Sequence, residues 1–126
     1  MAHHVTKTEF AALVQEAIAE LPARFAAALE EVSIEIKDRP TRKQLRSVEL
    51  GDDDLLMGLY TGRPLTERSV DDGPRLPDTI QIYQEDCELA CDSREQLVAE
   101  VRITVLHELG HHFGMSEDDL DSLGYG

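Results

Sequence analysis

His107-Glu108-Leu109-Gly110-His111 is an HExxH arrangement. On a helix, residues four apart project from the same side, so two imidazoles can meet one ion. Glu108 lies about 100° further round the axis. From there its carboxylate can take a proton from a metal-bound water without using a coordination position, which is the chemistry of metal-assisted hydrolysis. Two imidazoles fall short of the three protein ligands usual in a catalytic zinc site. Gly114 follows His111 by three residues and Glu117 by six. In the longer HExxHxxGxxH pattern a glycine at that spacing reverses the chain, and the residue three later supplies the third ligand. A carboxylate from Glu117 would give two nitrogens and one oxygen, an ordinary catalytic set. Asp118 and Asp121 lie within reach of the same role, and the plain reading of 117–121 is the charged first turn of a last helix capped by Ser116. His112 is one residue past His111 and four past Glu108, so it cannot join the pair. It leans toward Glu108 or a substrate, or covers an apolar flank, and a structural role is favoured.

Holding two imidazoles on one ion takes a rigid helix. Leu97, Val101, Val105 and Leu109 recur every four residues, so residues 93–113 are predicted as the longest helix. Ser93 with Gln96, or Asp92 with Glu95, offers a cap at its start, and Gly114 a stop at its end. Phe10, Leu13, Val14, Ala17, Ile18 and Leu21 form a second stripe within a helical reading of 6–30, with Thr6 or Thr8 as cap and a bend or restart at Pro22. Val32-Ser33-Ile34-Glu35-Ile36 alternates as a strand, and Pro40 ends it. Thr79–Tyr83 is a second strand, introduced by Pro77, with Ile80 and Ile82 on its buried face. As a sheet edge it could pair with an extended peptide. Ser47–Leu50 is a weaker strand candidate, and 39–46 an exposed basic loop with a short helical stretch. Leu55–Tyr60 is too apolar for a loop in solvent and is expected to pack on the domain beside a cleft. The Gly51–Asp54 turn lacks the ligand ladder of a calcium loop.

The chain has 126 residues, 41% hydrophobic and 30% charged, as expected of one globular domain spanning 1–126, with residues 1–7 flexible and His3 and His4 in that leading segment. The net charge of −14 leaves no basic face for nucleic acid and disfavours anionic membranes. No apolar run is long enough to span a bilayer, and the start lacks the apolar core of a signal peptide. Cys87 and Cys91 match neither a zinc knuckle nor a redox pair and are read as reduced thiols.

Three stretches resemble one family. They are Leu55–Arg68, then Leu76-Pro77-Asp78 with Ile80–Tyr83, and then Thr104–Gly114 with the acidic turn and Leu123-Gly124 after it. Across roughly residues 9–125 they resemble, in order, the small bacterial zincin-like metallopeptidases, also called minimal zincins and long known as a domain of unknown function. The resemblance implies a compact α+β zincin-like domain, with a small mixed sheet packed against a long active-site helix and an N-terminal helix. It also implies one zinc ion and cytoplasmic residence. The matching positions are His107, Glu108 and His111, with an acidic residue at or near 117. Aspartate is frequent around that turn in the family, so Glu117 is a departure.

These readings combine into an expected zinc-dependent peptidase. Zinc sits on His107, His111 and Glu117, and Glu108 is the general base that later protonates the leaving amine. Tyr83, Tyr60 or Arg63 stabilises the oxyanion. The expected partner is a peptide or protein substrate, with no nucleic acid or membrane partner and a monomeric chain. The alternative is a non-catalytic zinc-binding interaction module on the same scaffold. A domain with an accidental motif is the third reading, and it predicts no bound metal.

Overall fold

A computed structural model describes residues 2–62, 78–115 and 118. Thr6 starts the first helix, α1 (Lys7–Ala19), by accepting the Glu9 N–H, and its apolar stripe is buried from Phe10 to Ala17. Pro22 forces a restart: a single turn of α2 (Ala23–Ala26) runs into a 3₁₀ turn at Ala27–Glu30. The alternating segment forms β1 (Val32–Lys37), and α3 (Arg42–Ser47) follows, held by a complete capping box between Thr41 and Gln44.

The strand expected at Ser47–Leu50 does not form. Val48 closes α3, and Glu49 turns the chain with a φ of 62°, which no strand tolerates. The apolar middle segment instead supplies β2 (Gly58–Thr61). Then come β3 (Asp78–Tyr83), α4 (Gln84–Ala90) and the long α5 (Arg94–His112).

The sheet order is β1-β3-β2. β3 runs parallel to β1 in the register Val32 to Asp78, and antiparallel to β2 in the register Gly58 to Ile82. β3 is therefore central, with both flanks taken, and cannot accept an extended peptide as an edge would. β2 is an edge.

Ile80 and Ile82 are fully buried, and with the α1 and α5 stripes they make one apolar cluster that includes both cysteines. Two carboxylates clip Arg94 of α5 onto α1: Nε lies 2.7 Å from Glu9 and Nη2 2.9 Å from Glu16. The segment before α1 lies on α4. The His3 N–H donates to the Glu88 carbonyl, and the buried Glu88 carboxylate accepts from the Val5 N–H at 2.9 Å. Among the described residues no helix is long and apolar enough to cross a membrane.

Candidate metal centre

α5 begins where Ser93 accepts the Gln96 N–H, and Gln96 in turn accepts the Asp92 N–H. It ends at the expected glycine. Gly114 has a φ of 75°, its N–H returns to the His111 carbonyl, and Met115 N–H reaches the Gly110 carbonyl. This pair of bonds is the Schellman closure that a left-handed glycine permits. Between these caps Leu97, Val101, Val105 and Leu109 are fully buried, so the rotation of the helix is fixed by its core stripe.

That rotation brings His107, Glu108 and His111 together, with one donor atom from each lying within 4.8 Å of the others. The two rings are 5.2 Å apart at 56°, and both are half-buried. Among the described residues they form the one group able to hold a metal ion. Two imidazoles presented this closely on one helix suit zinc, with the Glu108 carboxylate beside them. Glu117 and Asp121, the acidic candidates for a third ligand, lie outside the described residues, and Asp118 is exposed.

The backbone of β2 reaches this cluster directly. Tyr60 N–H donates to Glu108 Oε1 at 2.8 Å, so the carboxylate is tied to the sheet edge. Gly58 allows the approach, since a Cβ there would sit 2.5 Å from the Thr104 methyl and 3.0 Å from the Gln81 carbonyl.

Two hollows flank the cluster and share Leu56, Gly58, His107 and Glu108 as walls. One, of about 340 Å³, continues past Val48, Leu50 and Leu59 to His111. The other, of about 420 Å³, continues past Leu55, Ile103 and Glu100. Val48, Leu55 and Ile103 are among the few large apolar side chains left exposed among the described residues, and all three stand round this cleft.

Both described oxyanion candidates have their hydroxyls engaged. Tyr83 is fully buried and its hydroxyl donates to Gln81 at 2.9 Å. Burial, with the charges of Glu108 and Asp86, pushes its phenol up to about 12. The Tyr60 hydroxyl donates to Asp78 at 2.5 Å. Arg63 lies outside the described residues. His112 turns away from the metal group. It is fully buried, with Nδ1 2.7 Å from Asp78 and Nε2 3.3 Å from Glu31, so the structural role is the one it fills.

The sequence reading passed over Gly58, Asp78 and the Tyr60 amide. A sequence cannot announce a backbone donor. Asp78 falls in phase with Ile80 and Ile82, on the face of the strand that turns inward, and that was a visible signal. Burial pushes up both thiols, Cys87 and Cys91, which keeps them protonated and unreactive.

A sequence model of a family described as zincin-like metallopeptidase matches residues 29–126. A solved structure of a conserved hypothetical protein from T. thermophilus is similar at 25% identity and a TM-score of 0.55, over 94% of this chain and 97% of that one. No curated protein matches the chain.

Proposed function

The chain belongs to the zincin-like metallopeptidase family, and from that premise we propose that it hydrolyses peptide bonds with one zinc ion. The ion would be held by His107 and His111 and completed by Glu117, six residues after His111. Bound there, zinc supplies a Lewis acid that makes water acidic and polarises a carbonyl. Every other step belongs to the chain. Glu108, steadied by the Tyr60 amide, takes the proton of the attacking water and passes it to the departing amine. The substrate is an extended polypeptide lying along the outer edge of β2, where strand addition supplies main-chain hydrogen bonds. Its side chains enter the two apolar-walled hollows on either side of His107 and Glu108.

One observation carries this reading: two imidazoles and a base converge on a single face of α5, beside an edge strand, at the floor of an apolar cleft. The test is Glu108→Gln against wild type on a broad peptide library, with metal content measured for both. Equal zinc with hydrolysis lost in the variant supports the peptidase. Equal zinc with no difference on any peptide would make the chain a zinc-binding interaction module.

A further inference from the structure

Glu108 and His112 are one helical turn apart on α5, and both lead to residue 60. Glu108 Oε1 accepts the Tyr60 N–H at 2.8 Å. His112 Nδ1 and the Tyr60 hydroxyl meet on the same oxygen, Asp78 Oδ2, at 2.7 and 2.5 Å. The contacts therefore close a ring: from Glu108 to the Tyr60 amide, out along the phenol to Asp78, across to His112, and back one turn to Glu108.

The ring is tightly made. The Asp78 and His112 side chains are fully excluded from solvent. The His112 ring is also set edge-on to Tyr60, at 6.1 Å and 71°. Behind Asp78 the Gly62 backbone, at a φ of 153°, comes so close that any side chain there would strike the Asp78 carboxylate.

Stability is a poor reason to bury such a group. Replacing buried ionic networks by apolar packing is often neutral or stabilising. What the ring does geometrically is fix residue 60 at two points, hydroxyl and amide, against one face of α5. The amide is the point that holds the general base.

We propose that Asp78 and the Tyr60 hydroxyl are positioning residues for Glu108, acting through the Tyr60 amide. The inference rests on the hydrolytic reading above for its kinetic consequence, but the link to Glu108 can be read without turnover. Without the phenol–Asp78 contact, residue 60 loses the hydroxyl end of its two-point hold, and the amide that meets Glu108 shifts with the strand.

The experiment uses the full chain as wild type, Tyr60→Phe, Asp78→Ala and Asp78→Asn. In metal-free protein, the amide proton of residue 60 reports its bond to Glu108. In Tyr60→Phe and Asp78→Ala it should move upfield, toward its position in Glu108→Ala. In zinc-loaded protein on a quenched-fluorescent peptide, Tyr60→Phe should lower kcat roughly tenfold to a hundredfold. KM should stay within about twofold and zinc content unchanged, since uniform binding is untouched. Asp78→Asn, which keeps an acceptor for the phenol, should recover part of what Asp78→Ala loses.

An unmoved residue 60 amide in Tyr60→Phe would overturn the proposal. So would a melting temperature that falls while kcat stays at the wild-type value. If Asp78→Ala does not fold, Tyr60→Phe still decides, because it removes one hydroxyl and keeps the ring. A wild type that cleaves no peptide sinks the hydrolytic reading alone, and the amide shift then judges the link by itself.

Discussion

Glu108 and Tyr83 are an acid and a phenol whose surroundings push them to opposite uses. Glu108 sits at the cleft with one oxygen on a backbone N–H, where a carboxylate can still accept a proton from water. Glu108→Gln keeps a carbonyl oxygen for the Tyr60 amide and loses only the basicity. It should cut kcat by roughly 10²–10⁴-fold with zinc content intact, read by elemental analysis beside the rate. His111→Ala, by contrast, should lose the zinc itself. Tyr83 is held protonated by burial and by the charges of Glu108 and Asp86, up to about 12. The folded phenol keeps a proton that the unfolded one releases near 10.0. Its contribution is therefore whole below pH 10 and is lost as pH climbs toward 12. The loss is roughly 2–3 kcal/mol for a shift of this size. Denaturant unfolding across that window should show the decline in wild type and a smaller one in Tyr83→Phe.

The elements most legible in the sequence were those whose burial follows a period. α5 and β3 each bury one repeating set, Leu97 to Leu109 and Ile80 with Ile82, so periodicity and caps placed them well. α4 was invisible for the opposite reason. Of its buried residues Gln84, Asp86, Cys87 and Glu88, the three besides Cys87 bury by hydrogen bonding, as Asp86 does on the Leu56 N–H. The position of β3 between two strands depends on pairing partners far along the chain, which no local pattern reports. In the site, the meeting of His107, Glu108 and His111 was legible from spacing, while the strand whose amide reaches Glu108 was not. Gly58 shows the cost of that contact. Gly58→Ala should push β2 off Thr104 and destabilise the fold by about 1–3 kcal/mol, with activity falling further than stability. Adding Thr104→Ala should restore part of both, as read by urea midpoint and kcat. At α4, burial pushes the Glu88 carboxyl up, but bonds from Val5, Gln84 and His4 outweigh it and hold it below its usual 4.5. That contribution is present above the usual value and is lost as pH falls through the lowered one. Glu88→Gln should cost about 1–3 kcal/mol at neutral pH, and the gap to wild type should close in acid.

At the scale of the whole molecule, the metal group and the core belong to the same helix. The face of α5 opposite the cleft carries the central packing of a single apolar cluster, while His107 and His111 present donors a turn apart on its exposed side. Unfolding the core therefore disperses the two imidazoles, so zinc held as proposed would bind the native state in preference to the unfolded chain. At one hundred times the dissociation constant such an ion adds about 2.7 kcal/mol, or about 10 °C in melting temperature for a chain of this length. Glu108→Gln should keep that increment, because the base is not counted among the ligands, whereas His107→Ala should lose it. The net charge of −14 works in the same direction by concentrating cations near the surface. That part is screened as salt rises, so the zinc dissociation constant should weaken between low and physiological ionic strength, while the histidine-dependent part of the shift persists. A melting-temperature increment that vanished with salt in wild type, or survived in His107→Ala, would mean the ion is held by surface carboxylates and not by the α5 pair.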